Sequence, residues 1–185
     1  MDLNYSTTNL FPSVIHQFDV NGFDEIRDKL IDYAYDLKKR EPEGVSISNH
    51  GGWQSPDFSV NNEDDVLHYF IINCLAGFPV IDESFNIKVD AWININKTGN
   101  YNIKHNHPGV DLAGVLWIKC PKDCGVIVFD SPTGFQSHNE INSYNDNFKN
   151  QNNLFHSYQF DPTEGKILIF PAHLNHHVKE NKSKE

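Results

Sequence analysis

Between residues 85 and 96 apolar and polar side chains alternate strictly. Phe85, Ile87, Val89, Ala91, Ile93 and Ile95 fall on one parity, and Asn86, Lys88, Asp90, Trp92, Asn94 and Asn96 on the other. A period of two is the signature of a half-buried strand, and this is the clearest strand pattern in the chain. Further strand-like runs lie at 112–119, 125–130, 154–160 and 166–170, separated by turns such as Pro121-Lys122-Asp123 and Pro162-Thr163-Glu164-Gly165. The N-terminal part has a different rhythm. After a short strand over Leu10–Phe18, with Pro12 at an edge or a start, Phe23, Ile26, Leu30, Ala34 and Leu37 repeat at helical spacing. Asn21 is the expected N-cap, and Pro42 and Gly44 stop the pattern. A second helix is expected over 63–76, capped by Asn62, with Val66, Phe70, Ile71, Cys74 and Leu75 on one face. Residues 131–153, rich in Asn and Ser, interrupt the strand series and read as a long surface loop. Its aromatic residues and those just after it, Phe135, Tyr144, Phe148, Phe155 and Tyr158, suit a lid.

Several short strands after a helical start predict a mainly β fold, a sandwich or jelly roll, with two N-terminal helices packed outside. With 185 residues the expectation is one domain over 1–185. Residues 1–80 would form the N-terminal strand and helical support, and 81–185 the β core.

Composition narrows the chemistry. The chain is 38% hydrophobic with a mean hydropathy of -0.53, and its apolar runs are too short to span a membrane. Twenty-five acidic against 15 basic residues give a formal charge of -10, the wrong sign for neutralising phosphates, so a small-molecule, protein or peptide substrate is expected rather than nucleic acid. The N-terminus lacks the basic segment and apolar core of a secretory signal, and three cysteines cannot all pair. Both point to the cytoplasm. Edge strands in such a fold often pair, which leaves a homodimer open.

The ten histidines are unevenly spread, five of them in two groups, His105/His107 and His173/His176/His177. Alternation along a strand would put His105 and His107 on one face, ready to chelate a metal. A third imidazole can come from the segment that runs from Gly165 through Phe170-Pro171-Ala172-His173-Leu174-Asn175-His176. His176 is the expected ligand, with His173 and His177 as alternatives. Three protein ligands leave coordination positions open, as a catalytic metal requires and a structural one does not. His16, His50, His68, His138 and His156 have no partner at chelating spacing and read as ordinary polar residues. Cys74, Cys120 and Cys124 read as structural thiols, and Trp53 as a packing residue.

Ordered motifs extend this reading: Ser48-Asn49-His50-Gly51-Gly52-Trp53-Gln54-Ser55, Trp92-Ile93-Asn94-Ile95-Asn96, His105-Asn106-His107-Pro108, Ala113-Gly114-Val115-Leu116-Trp117-Ile118-Lys119-Cys120-Pro121, and Gly165 through His176. Together they resemble the 2-oxoglutarate/Fe(II)-dependent oxygenase family of bacterial and phage proteins. The resemblance implies a double-stranded β-helix fold and a dioxygenase that uses O2, with 2-oxoglutarate as co-substrate and Fe(II) held by His105, His107 and His176. It further implies co-substrate contacts at Asn94 and Asn96, which otherwise read as exterior strand residues. The family's Arg, expected shortly after the last His, falls beyond Lys182-Ser183-Lys184-Glu185, where the sequence ends. Lys119 is therefore the expected partner of the distal carboxylate, its other reading being a solvated lysine. One departure concerns the metal. Most of the superfamily places Asp or Glu where this chain has His107, and Asp111 is the nearest carboxylate that could substitute. Two other classes fit the same pattern less fully, a cupin-type metalloenzyme and a non-catalytic jelly-roll metal- or ligand-binding protein.

Overall fold

Strand β11 (Lys166–Pro171) is apolar on both faces, so it must be covered on both. A computed structural model of the chain, describing residues 4–59, 71, 87–133 and 139–184, shows how. β11 is the centre of a three-stranded antiparallel sheet, between β1 (His16–Asp19) and β8 (Leu112–Leu116). Ile167 and Ile169 face helix α1 (Phe23–Arg40), where they pack with Phe23, Leu30, Ala34, Trp53 and Ile93. Leu168 and Phe170 point the other way, into a second cluster with Ile127, Phe129 and Leu174. The alternation of one strand thus divides the core in two, helix on one side and sheet on the other.

That opposing sheet has five strands in the order β10-β9-β12-β7-β2, all antiparallel to their neighbours: β10 (Ser157–Phe160), β9 (Ile127–Asp130), β12 (His176–Val178), β7 (Tyr101–His105) and β2 (Asn49–His50). Two short pairs stand apart from both sheets, β3 (Trp53–Gln54) with β6 (Asn94–Ile95), and β4 (Phe58–Ser59) with β5 (Asp90–Ala91). The architecture is the mainly β jelly roll expected from the pattern of short strands. Of the two expected helices, α1 is present. The one expected over 63–76 lies outside the described residues, except Ile71, which packs against the helix-side core.

Several local expectations are corrected. The N-terminal strand begins at His16 rather than Leu10, and residues 4–14 are exposed. Its register pairs His16 with Ile169, so the next partners along would be Phe170 and Pro171, and Pro171 has no N–H to donate. The N-cap of α1 is Gly22, in the left-handed region at φ 72°, not Asn21; the Gly22 carbonyl accepts from Glu25 N–H at 3.0 Å. The long strand over 85–96 is broken at Trp92 and Ile93. Its opposite number, Ser55-Pro56-Asp57, cannot continue a ladder through Pro56, and the Ser55 hydroxyl instead accepts from Ile93 N–H at 2.9 Å. Segment 131–153 is not merely a surface loop. It carries a 3-10 turn (Asn139–Ser143) and a short helix α2 (Asp146–Gln151) capped by the Asn145 side chain, and Ile141 is buried to 1% exposure. Phe135 lies outside the described residues; Tyr144 stacks near Phe148 at 4.9 Å, and Phe155 near Tyr158 at 5.5 Å.

Helix α1 is tied to the sheet at the turn before β11. Gly165 has φ 76°, and a Cβ there would lie 2.7 Å from the Phe23 ring, so only glycine allows the helix start to seat. Beside it, the Glu164 carboxylate accepts from Arg27 Nε at 2.6 Å and Nη2 at 3.2 Å, and from the Cys120 main-chain N–H at 2.8 Å. The Arg27 hydrogen bonds hold the Glu164 pKa below the usual carboxylate range. Glu164→Ala should cost about 1 kcal/mol in urea unfolding, and Glu164→Gln less because it keeps the Cys120 contact. Equal losses in the two variants would contradict this role.

Candidate metal centre

Two strands deliver the candidate ligands. His105 is the last residue of β7 and His176 the first of β12, and the register places them directly opposite each other. Side chains directly opposite on neighbouring strands share a face, so the two rings meet, at 4.3 Å between centroids. His107 lies just beyond the end of β7, its ring 5.0 Å from His176 and 5.1 Å from His105. One ligand nitrogen from each of the three falls within 4.8 Å of the others. Among the described residues this is the one such cluster of His, Cys, Asp or Glu, and it contains no carboxylate.

The loops behind the rings are pinned to each other. His107 N–H donates to the Ala172 carbonyl at 2.9 Å, and Ala172 N–H to the Asp111 carbonyl at 3.0 Å, which clamps the His107 loop against the turn leading to His176. On the other side Asp130 N–H donates to the Asn175 carbonyl at 2.9 Å. Two of the imidazoles have their tautomer set. Nδ1 of His105 lies 2.8 Å from the Ile103 carbonyl, and Nδ1 of His176 lies 2.9 Å from the Leu174 carbonyl. A carbonyl only accepts, so each Nδ1 is the donor and each Nε2 keeps its lone pair for a metal.

His176 is 4% exposed, its ring 4.9 Å from Phe170 and 5.6 Å from Phe129. This burial pushes its pKa down to about 4, and burial followed by the charge of His105 lowers that of His107. Neutral imidazoles are the form a metal needs. The sign of the pH effect follows. An unfolded histidine takes its proton near pH 6.5, so between about 4 and 6.5 the unfolded chain binds more protons than the folded one. Without metal, the His176 contribution should be intact above pH 6.5, and about 3 kcal/mol of stability should be lost as pH falls toward 4. Chemical denaturation at several pH values, compared with His176→Asn, measures it; equal slopes in both proteins would contradict the assignment.

The other expected site residues are dispersed. His173 is exposed on the turn before β12. His177 pairs with Val128 and by alternation faces away from His176. Asp111 is exposed, and its carboxylate does not join the cluster. Asn94 is exposed on β6, opposite Gln54. Asn96 donates its amide to Asn102 Oδ1 at 2.9 Å, part of a buried polar set that includes Ser48 and Asn181. Lys119 is exposed after β8, close enough to Glu164 for its charge to lower that carboxyl's pKa. Cys120 and Cys124 are free and half-buried, with burial raising the Cys120 thiol to about 12, and Cys74 lies outside the described residues. Sequence reasoning missed Trp92, assigned to the outer parity of its strand, whose ring stands 5.4 Å from His107. It also missed His50, stacked on Tyr101 at 4.5 Å.

No helix among the described residues is long and apolar enough to cross a membrane. Comparison with known proteins places the arrangement. No curated protein matches the chain. Among solved structures, the crystal structure of a Pseudomonas putida prolyl-4-hydroxylase is similar in fold, with a TM-score of 0.60 over 91% of this chain and 87% of that one at 11% identity. The model of the family described as "Putative 2OG-Fe(II) oxygenase" matches residues 90–185, which contain all three histidines of the cluster. By that match over half its length, the chain belongs to the 2OG-Fe(II) oxygenase family.

Proposed function

We propose that the protein is an Fe(II)- and 2-oxoglutarate-dependent hydroxylase of a small-molecule or peptidyl substrate. The observation that carries this is the convergence of His105, His107 and His176, two of them with Nε2 freed by a main-chain carbonyl. Such a donor set fits a divalent transition metal and leaves coordination positions for further ligands. Bound there, Fe(II) would couple oxidative decarboxylation of 2-oxoglutarate to hydroxylation of a C–H bond by O2. The chain's own part is to bind, orient and shield. Phe129 and Phe170, both buried, keep water from the His176 side of the site, and the clamp between residues 107, 111 and 172 fixes the spacing of the rings. The exposed Asn94 is the proposed donor to a co-substrate carboxylate; Lys119 stands beside Glu164 at the end of β11 away from the histidines, and the Asn96 oxygen can only accept, so neither makes that contact. Three neutral imidazoles leave the metal one negative charge poorer than a site with a carboxylate, so Zn, Ni or Cu should be tolerated more readily.

The test is succinate formation from 2-oxoglutarate with Fe(II), ascorbate and O2, together with competition by a non-decarboxylating oxoglutarate analogue. Turnover, or metal-dependent binding of the analogue, supports the reading. Neither, in protein that binds metal, overturns it.

A further inference from the structure

His105 and His176 are each oriented by the main-chain carbonyl two residues before them, but among the described residues the ring of His107 has no such hydrogen bond. It stands outside β7, in the loop that follows, its main chain held by the Ala172 carbonyl and its ring beside those of His105 and His176. What it does have is an indole. The Trp92 ring lies 5.4 Å away at a 45° tilt. Trp92 is half-buried and belongs to neither apolar core cluster, so the packing of those cores does not account for its place. It sits where the strand over 85–96 is broken, between β5 and β6, with Ile93 drawn into the helix-side core and tied to Ser55.

We propose that Trp92 is the positioning residue for His107, an aromatic wall doing for this ligand what a main-chain carbonyl does for each of the other two. The indole restricts the imidazole to orientations that keep its nitrogen near those of His105 and His176. Without it, the ring must be ordered at the moment of binding, and affinity falls by the factor typical of lost outer-shell support. The inference rests on the three histidines being a metal site, but not on any reaction there.

Co(II) is the probe, because its visible bands report coordination geometry and it quenches a nearby indole. Trp92→Ala should raise the Co(II) Kd about tenfold or more and change the visible spectrum. Trp92→Phe, which keeps an aromatic wall, should stay within about threefold of the unsubstituted protein. Unfolding of the metal-free variants, measured alongside, separates this from general destabilisation. Fluorescence supplies a readout that needs only the folded Phe variant: Co(II) should quench the unsubstituted protein and largely fail to quench Trp92→Phe, in which Trp53 and Trp117 remain. Unchanged affinity and spectrum in Trp92→Ala, equal loss in the Ala and Phe variants, or a quench that persists in Trp92→Phe would each overturn the proposal. The outcome is independent of turnover: Trp92-dependent Co(II) binding with neither 2-oxoglutarate turnover nor binding of the analogue would sink the hydroxylase reading alone.

Discussion

His176→Ala should raise the Kd for Co(II) or Fe(II) by about 100- to 1000-fold and abolish any 2-oxoglutarate turnover. Each ligand of a protein metal site accounts for roughly 3 kcal/mol of binding, which is this factor. His176 is also the most buried of the three rings, at 4.3 Å from His105 and 5.0 Å from His107, so its loss removes the donor best shielded from water. The substitution also removes the Nδ1 bond to the Leu174 carbonyl and leaves a small cavity beside Phe170. His176→Asn, closer in volume, and His105→Ala, at a less buried position, therefore accompany it. Titration calorimetry on all three, with metal-free unfolding as control, decides. Affinity within tenfold of the unsubstituted protein in every variant would remove the cluster as a metal centre.

Phe170→Ala should cost about 3–5 kcal/mol in unfolding and weaken metal binding as well. Phe170 is 2% exposed on β11, packed with Phe129 at 4.8 Å and His176 at 4.9 Å. The stability loss is the transfer cost of the ring plus a cavity between the two sheets, where main-chain ladders on both sides oppose collapse. The loss of affinity comes from the other neighbour. With one wall gone, the His176 ring gains both room and water. Phe170→Leu, which refills most of the space, should recover most of the stability. A variant that is as stable as the unsubstituted protein would show that the inter-sheet core lies elsewhere; one that is unstable yet binds metal with full affinity would show that Phe170 does not support His176.

Much of the site could be read directly from the chain. His-x-His in a strand context is a local pattern, and the two side chains do converge, although His107 sits past the strand end rather than within it. The choice among His173, His176 and His177 rested on a motif. Structure gives its physical basis: His173 is on the exposed turn, His177 faces away, and β12 lies between β7 and β9 with His176 opposite both His105 and Phe129. Trp92 could not have been found this way. Strict alternation over 85–96 put it on the outer parity with Asn94 and Asn96, and nothing local signals that Pro56, in the distant link between β3 and β4, breaks the ladder at that point. Helix α2 was hidden for a related reason: Asp146–Gln151 has no apolar repeat, and only the Asn145 cap marks its start.

By itself, the sequence determined what depends on near neighbours in the chain: the alternations that become strands, the apolar stripe of α1, the doubly apolar β11, and the imidazole pair at 105 and 107. Only the tertiary structure decided which distant residues complete the site and which do not. Pairing partners are chosen by the register of a whole sheet, and register depends on every strand in it. That is why the third imidazole, the indole against His107 and the exclusion of Asp111 from the cluster emerge only once β12 is inserted between β7 and β9.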